Sequence, residues 1–401
     1  MNTSLPEGGA EAGASARGRT GGVPEKHFGY IDALRGYAIL AVMAVHAATA
    51  APDWTGVGRT IVNQGARGVQ LFFVASALTL MMSWHARNDG AIRFYIRRVF
   101  RIAPMFWLGI GFFLWRDGWG PRYFAPNGIG AEHVILSAAF QQGWHPEFIN
   151  SIVHGGWSIA VEMTFYLIFP LLMLIIRGWV SALGSLVLAV LAAPAIWLIF
   201  WSMRGSLWPG LPDYLVATFL TLWFPSQLPV FLVGFVLFFA VRDYLGKLPV
   251  PAARLMLCVS LAAILALTIS PLSTGRFEVL SFSLYAICFG VFAFCAGSGA
   301  SKWLVSAPVR YIGKVSFSAY LWHFVILASI ESIAAVGLYP FQSAGSHGFL
   351  FFCGFFPYLV AATVLCSSVT YYLIEKPFID WGNRLLNPAG KRRLISTAGA
   401  C

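Results

Sequence analysis

Residues 157 to 176 read WSIAVEMTFYLIFPLLMLII, and residues 179 to 201 read WVSALGSLVLAVLAAPAIWLIFW. These two apolar blocks together contain a single charged residue, Glu162. An α-helix needs about 20 residues to cross the hydrocarbon core of a bilayer, which is about 30 Å thick. Each block has that length, so the sequence predicts two consecutive transmembrane helices.

Blocks of the same kind recur along the whole chain. Of its 401 residues, 58% are hydrophobic and 11% are charged, whereas soluble globular domains carry about 25% charged residues. A water-soluble surface cannot be built from so few charges. The sequence therefore predicts an all-α, polytopic integral membrane protein with about ten transmembrane helices. The predicted spans are residues 33–51, 69–84, 102–115, 157–176, 179–201, 225–241, 251–271, 279–296, 315–337 and 349–374.

The charge distribution predicts an orientation and argues against one class of partner. The formal net charge is +11, but the basic residues are scattered between apolar blocks, so no nucleic-acid partner is expected. With a cytoplasmic N-terminus, most of the 27 lysines and arginines fall in cytoplasmic segments, as the positive-inside rule requires. Both termini are therefore predicted to be cytoplasmic. The predicted organisation is a disordered cytoplasmic tail over residues 1–29, a transmembrane domain over 30–380 and a basic cytoplasmic tail over 381–401.

The six cysteines have no CxxC spacing, and five of them lie in apolar stretches. We interpret them as small core residues and expect neither a disulfide nor a bound metal.

An ionisable side chain within a membrane span is costly and is therefore a candidate functional residue. Arg35 and His46 both lie in the first predicted span. Eleven residues at about 100° each bring them onto one helix face, about 16 Å apart along the axis. This places Arg35 near the cytoplasmic boundary and His46 well inside the membrane. The alternative is structural: Arg35 extends to the interface, and His46 hydrogen-bonds a neighbouring helix.

Three arginines, Arg97, Arg98 and Arg101, precede the third predicted span. Guanidinium groups there can bind phosphate with two parallel hydrogen bonds. Arginines at such a place also serve as ordinary cytoplasmic anchors, and spacing alone favours that interpretation. Pro104 follows the run and is expected to mark the start of the helix.

Two further spans carry polar residues. Glu162 lies about one and a half turns into the fourth span, where a carboxylate must be paired, protonated or in contact with a wet cavity. Its expected partner is His46, His323 or an arginine. His323 in the ninth span is a second imidazole within the membrane, although a lone histidine beside aromatic residues is more often structural than catalytic.

Taken together, these stretches resemble the acyltransferase family 3 of membrane proteins, which O-acetylates lipopolysaccharide O-antigens, exopolysaccharides, lipochitooligosaccharides and some macrolides. The resemblance runs from Tyr30 to about Asp380. Its most specific element is Arg35 followed, after ten residues, by His46, in the context Asp-Ala-Leu-Arg-Gly. Ala77 departs from the family, which has glycine there, and this puts a close backbone approach in question. The other matching elements are residues 68–74, the run from Arg97 to Pro104, Trp157-Ser158 with Glu162, Tyr320-Leu321-Trp322-His323, and Glu375-Lys376-Pro377.

The resemblance implies a reaction and a donor. Acyl-CoA, expected to be acetyl-CoA, would enter from the cytoplasm as the co-substrate, with no metal. Arg97, Arg98 and Arg101 would bind its phosphates, and Arg35 would lie near the cofactor or the thioester. His46 would act as general base, because a neutral imidazole can take the proton of a hydroxyl as the oxygen attacks the thioester. The alternative role for His46 is that of an acyl carrier.

The resemblance also implies an acceptor and a location. The acceptor is expected to be a carbohydrate or a lipid-linked glycan, and the protein is expected in the bacterial inner membrane, in contact with membrane lipid. Glu162 would orient His46 or bind the sugar. The side chains expected to bind the acceptor are Trp157, Ser158, Tyr320, Trp322 and His323.

Two other functions also accommodate charged groups within the membrane. A secondary transporter commonly shows repeated halves with helix breaks in matching positions, and the sequence shows neither. A non-catalytic scaffold or sensor would tolerate replacement of Arg35 and His46.

Overall fold

The structure is a computed structural model that describes residues 29–51, 54–87, 89–273, 277–335 and 348–386, and side chains in all of these except 273 and 331–335. The regular structure in these ranges is helical, and they contain no β-strand. Residues 1–28 of the tail predicted to be disordered and residues 387–401 of the predicted basic tail lie outside the described ranges. Gly29, the last residue of the tail predicted to be disordered, is the first residue of the first helix. The helices are α1 (Gly29–Thr49), α2 (Val57–Asn63), α3 (Gly68–Arg87), α4 (Gly90–Asp117), α5 (Ala131–Ala138), α6 (Gly156–Ile175), α7 (Trp179–Ser202), α8 (Arg204–Leu207), α9 (Asp213–Leu222), α10 (Phe224–Tyr244), α11 (Val250–Ile269), α12 (Glu278–Gly297), α13 (Ala307–Lys314), α14 (Ser316–Ala335), α15 (Gly348–Thr370) and α16 (Lys376–Leu386).

The number of membrane-spanning helices agrees with the prediction. Nine helices in the described ranges are long and apolar enough to cross a membrane, and a tenth arises if the bent pair Lys302–Lys314 and Ser316–Ile330 counts as one span. The two parts of that pair meet at 70°. The prediction of an all-α, polytopic membrane protein is confirmed.

The second and third spans are longer than their apolar blocks. The second runs unbroken from Val57 to Arg87 through a 3₁₀ turn, and the third is α4, with 28 residues. The prediction that Pro104 starts a helix is wrong, since Pro104 lies in the middle of α4. Neighbouring helices in a membrane protein can satisfy the carbonyl group that a proline leaves without its donor, so the helix continues.

The helices form a bundle in which α1 and α10 are central. α1 packs against α3, α13, α14 and α15, while α10 packs against α3, α7 and α12. In contrast, α7 and α11 leave most of their leucine, valine and isoleucine side chains exposed. Lipid solvates such side chains, so in a membrane protein this apolar exposure marks the surface that faces the hydrocarbon.

Small residues bring two pairs of helices into close contact at the positions that carry functional side chains. A Cβ atom on Gly36, next to Arg35, would lie 2.2 Å from the carbonyl oxygen of Val309 on α13. A Cβ atom on Gly234 of α10 would lie 2.5 Å from the Cβ atom of Ala77 on α3. The close approach at Ala77 is therefore made, and the glycine that permits it stands on the facing helix.

The chain after α15 remains helical to the end of the described residues. A π-helical turn over Tyr371–Glu375 joins α15 to α16, and α16 continues to Leu386. A Cβ atom on Gly382 would lie 2.8 Å from the ring of Phe100, so α16 packs tightly on α4. The tail predicted from residue 381 therefore begins inside a packed helix, because the amphipathic pattern of residues 376–386 gives it an apolar face to bury.

Candidate active site

Five helices of the bundle, α1, α3, α4, α6 and α14, surround a cavity of about 70 Å³. This is room for several water molecules. Its wall combines polar and charged side chains with aromatic ones. The charged and hydroxyl-bearing residues that line it are Arg35, Ser76, Arg98, Arg101, Ser158, Glu162, Tyr166, Ser316 and Tyr320.

Two of the three predicted phosphate-binding arginines line this cavity. Arg98 and Arg101 are three residues apart in α4 and so share a face of the helix. Arg97 does not line the cavity. It donates two hydrogen bonds to the carboxylate of Asp89, at 2.6 and 2.7 Å, and these bonds hold the pKa of Asp89 below its usual range. Arg97 is thus engaged in a local ion pair at the start of α4.

Arg35 and Arg98 are held by few partners within the protein. The Nη2 atom of Arg35 donates to Thr79 Oγ1 at 3.2 Å, and Nη1 lies 3.9 Å from Asp32. The guanidinium of Arg98 lies 5.7 Å from the centroid of the Tyr166 ring. Its Nε atom is buried without a hydrogen-bond partner among the described residues. A buried donor without a partner is unfavourable, so this geometry suits an anion placed in the cavity.

Glu162 provides the negative charge of the cavity wall. Its Oε1 atom accepts hydrogen bonds from Ser76 Oγ at 2.5 Å and from the Tyr166 hydroxyl. These hydroxyl groups, and no histidine, are the hydrogen-bond partners of Glu162 among the described residues. With three arginines and one carboxylate, the cavity carries an excess of positive charge.

Tyr320 lines the cavity and also contacts one of the two membrane histidines, His323. Its hydroxyl donates to the carbonyl oxygen of Gly155 at 3.1 Å and lies 2.9 Å from Ser158 Oγ. Gly155 has φ of +77°, and a Cβ atom there would lie 2.9 Å from the Tyr320 hydroxyl. Both the left-handed backbone and the close contact require glycine at this position. The Tyr320 ring also contacts that of His323, with 5.8 Å between the centroids.

His46 and His323 form a pair beside the cavity. The Nδ1 atom of His46 lies 3.0 Å from the Nε2 atom of His323, and neither residue is part of the cavity wall. α1 begins at Gly29, four residues before the predicted span, so His46 lies in its last turn.

The two predicted acceptor-binding tryptophans lie away from the cavity wall. Trp157 packs edge-on against Phe73, with 6.2 Å between the ring centroids. Trp322 packs edge-on against Phe112 at 4.9 Å. Ser158 and Tyr320 do line the cavity, so the structure brings two of the five predicted acceptor residues to it.

Several residues of the site were not identified from the sequence. Thr79, Ser76 and Tyr166 hold Arg35 and Glu162 in place. Glu375, which belongs to the matching element Glu375-Lys376-Pro377 quoted above, is 2% exposed and accepts a hydrogen bond from Ser318 at 2.9 Å. Thr79 lies three residues after Ser76, and Tyr166 four residues after Glu162, so each polar pair shares a helix face. That spacing within apolar helices is the signal that identifies them.

Comparison with known proteins gives a family assignment. A family described as an acyltransferase domain matches residues 28–371. The exopolysaccharide production protein ExoZ of Rhizobium meliloti (strain 1021) is 27% identical over 337 residues, which cover 81% of this chain and 93% of ExoZ. The acyltransferase MdmB of Streptomyces mycarofaciens is 26% identical over 398 residues, covering 92% of this chain and 94% of MdmB.

A longer relative is similar over most of this chain. It is a Staphylococcus aureus (strain COL) protein, provisionally named as the O-acetyltransferase SACOL0978, and is 23% identical over 393 residues. These residues cover 89% of this chain and 58% of that relative. No solved structure matches the chain. The family match spans most of the helical bundle, including the arginines, Glu162 and the histidine pair, and we conclude that the chain belongs to acyltransferase family 3 and is an integral membrane acyltransferase.

Proposed function

We propose that this protein transfers an acyl group, and specifically an acetyl group, from acyl-CoA to a hydroxyl of a cell-surface carbohydrate or glycolipid. The observation that carries the proposal is the convergence of Arg35, Arg98 and Arg101 on one cavity that ends beside a pair of histidines. Arginines bind phosphate, and an imidazole moves protons. An acyl-CoA ester contains the phosphates and the reactive thioester at opposite ends of one flexible arm.

The charge of the cavity wall supports the proposed binding mode of the donor. The phosphates of acyl-CoA would bind Arg98 and Arg101 on α4, where a buried Nε atom of Arg98 is available as a donor. Arg35 and His46 are eleven residues apart in one unbroken helix, which corresponds to about 16 Å along its axis. An extended pantetheine arm suits that separation, so the thioester would reach the histidines while the phosphates stay at the arginines.

In the proposed transfer step, the acyl group passes from the thiol of coenzyme A to the acceptor hydroxyl. His46 takes the proton of the acceptor hydroxyl as its oxygen attacks the thioester carbonyl, and a C–O bond forms. The C–S bond then breaks, and the imidazolium of His46 returns the proton to the departing thiolate. The products are an ester and coenzyme A, and no other reactant is required.

The name of one relative supports a carbohydrate as the acceptor. ExoZ is named for exopolysaccharide production, which supports a carbohydrate acceptor. Ser158 and Tyr320 present hydroxyl groups at the end of the cavity near His323, where they can hydrogen-bond a sugar hydroxyl. We place the protein in the bacterial inner membrane, with acyl-CoA supplied from the cytoplasm.

The test uses the purified full-length protein in proteoliposomes with acetyl-CoA. We expect release of coenzyme A and incorporation of labelled acetyl groups into surface carbohydrate extracted from the host cells. His46→Ala should lower the rate about 10²- to 10⁴-fold, the usual contribution of a general base. The matched control is His85→Ala on α3, whose imidazole hydrogen-bonds the Met81 carbonyl oxygen at 2.9 Å and stacks on Phe238.

Three outcomes would contradict the proposal. If His46→Ala keeps full activity at normal expression, His46 is not the base. If acetyl-CoA yields no coenzyme A under any acceptor condition, acyl-CoA is not the donor. If a glycan crosses the membrane without release of coenzyme A, the protein transports its substrate.

A further inference from the structure

His323 is a buried residue whose ring contacts that of His46. Its side chain is fully buried, with 0% of its surface exposed, and it does not line the cavity. Its ring stacks on that of His46 with 5.1 Å between the centroids and an angle of 27° between the planes. The ring of Phe324 packs against both imidazoles, at 4.3 Å from His46 and 4.1 Å from His323.

The hydrogen bonds of His323 determine which nitrogen carries its proton. The Nδ1 atom lies 3.2 Å from the carbonyl oxygen of Ala319. A carbonyl oxygen only accepts, so the Nδ1 atom of His323 is the donor. A neutral imidazole has one proton, and the Nε2 atom of His323 therefore has a lone pair. The buried, aromatic surroundings disfavour a charged ring.

The same reasoning extends to His46. Its Nδ1 atom lies 3.0 Å from the Nε2 atom of His323, which can only accept. The Nδ1 atom of His46 is therefore protonated, and its Nε2 atom has the lone pair. A chain of two hydrogen bonds, from the backbone of α14 through His323 to His46, thus makes Nε2 the basic atom of His46.

Two hydrogen bonds, made by the residues on either side of Ala319, fix the position of α14. Ser318 Oγ donates to the buried carboxylate of Glu375 at 2.9 Å. Tyr320 is hydrogen-bonded to the Gly155 carbonyl oxygen at 3.1 Å. These contacts tie α14 to the end of α15 and to the start of α6, so the Ala319 carbonyl and His323 have a defined position relative to His46.

We propose that His323 is a positioning residue, which fixes the tautomer and the ring orientation of His46 so that its Nε2 atom faces the acceptor hydroxyl. This inference rests on the proposed role of His46 as the base. His323 touches neither the donor nor the acceptor and acts only through His46. Partners that orient the imidazole of a metal-binding histidine contribute about 10- to 100-fold to affinity or activity, and we expect an effect of similar size for the orientation of His46.

The experiment compares His323→Leu with His323→Gln in the full-length protein. Leucine has no acceptor for the His46 proton, whereas the amide oxygen of glutamine can accept it. We expect kcat to fall about 10- to 100-fold in His323→Leu, with unchanged KM values for acetyl-CoA and for the glycan acceptor, and to recover substantially in His323→Gln. A residue with a purely structural role would show no such recovery.

Two further measurements separate this inference from the proposed function. In the His46→Ala background, His323→Leu should lower the rate no further, since residues that act as a unit are not additive. Nitrogen NMR of histidine-labelled protein should show His46, identified by its loss in His46→Ala, protonated at Nδ1 in the wild type and shifted toward Nε2 protonation in His323→Leu.

The results that overturn the inference are distinct. Wild-type kcat in His323→Leu, a further loss of rate in the His46→Ala background, or an Nε2-protonated His46 in the wild type would each refute it. If His323→Leu does not fold, the wild-type NMR spectrum and the His323→Gln variant still decide. Full activity of His46→Ala would refute the proposed function itself, whereas an inactive His46→Ala with a normal His323→Leu would refute only the positioning role.

Discussion

Substitution of two adjacent arginines of α4, Arg97 and Arg98, should have sharply different effects on the affinity for acetyl-CoA. Arg98 lines the cavity, and its buried Nε atom has no hydrogen-bond partner among the described residues. Arg97 donates two hydrogen bonds to Asp89 and does not line the cavity. Arg98→Gln and Arg97→Gln remove the same charge from neighbouring positions, so each variant is the matched control of the other.

The expected magnitude follows from these contacts. A hydrogen bond to a charged group contributes about 1.5–3 kcal/mol, and about 1.4 kcal/mol is a factor of ten in an equilibrium constant. Loss of the Arg98 guanidinium should therefore raise the Kd for acetyl-CoA about 10- to 100-fold. Arg35 and Arg101 remain, so binding is weakened but not abolished. Arg97→Gln should leave this Kd unchanged and lower the stability by about 1 kcal/mol or less.

The assay is equilibrium binding of acetyl-CoA to the purified protein in detergent, with thermal unfolding measured on the same samples. Arg98→Lys is a further control, because it keeps the charge but loses the planar fork that binds phosphate with two hydrogen bonds. An intermediate Kd is expected for it. Equal Kd values for Arg97→Gln and Arg98→Gln, or a larger effect of Arg97→Gln, would refute the assignment of the donor to this cavity.

Three other predictions concern the wall of the cavity and the start of α4. Gly155→Ala should destabilise the protein by about 1–2 kcal/mol and lower kcat, since φ is +77° and the new Cβ atom would contact Tyr320; Gly184→Ala, with open space around it, should do neither. Glu162→Gln keeps the hydrogen-bond acceptor but removes the negative charge, so kcat should fall while the KM for acetyl-CoA does not rise; a raised KM with normal kcat would contradict this. Because its arginine partner lowers the pKa of Asp89, the pair stabilises the protein at neutral pH and is lost as the pH falls through the lowered pKa. The Tm difference between the wild type and Asp89→Asn should therefore be present at neutral pH and vanish in acid, and a difference that persists in acid would exclude this linkage.

Much of the site follows from local patterns in the sequence. The nine or ten spans in the described ranges could be predicted because a block of about 20 apolar residues is a local property, and the bilayer offers it the same surroundings wherever it occurs. Arg35, His46 and Glu162 could be identified as candidates because a charged or titratable group in such a block is energetically costly and is usually functional. The family resemblance rests on these same residues, and the family match confirms it.

The partners of these residues could not be predicted in the same way. Arg97 and Arg98 are neighbours in the sequence, yet about 100° of helical rotation separates their side chains, and only the packing of α4 decides which one faces the cavity. His46 and His323 are 277 residues apart, and no local pattern relates two positions so distant.

The sequence by itself determined which segments of this protein cross the membrane and which arginines, histidines and carboxylates lie in or beside them. Only the tertiary structure decided which of these side chains are hydrogen-bond partners: Arg97 pairs with Asp89, Glu162 with Ser76 and Tyr166, and His46 with His323. The physical reason is that membrane insertion depends on the summed transfer free energy of one segment. A side-chain contact depends instead on the angle and register at which two separate helices pack.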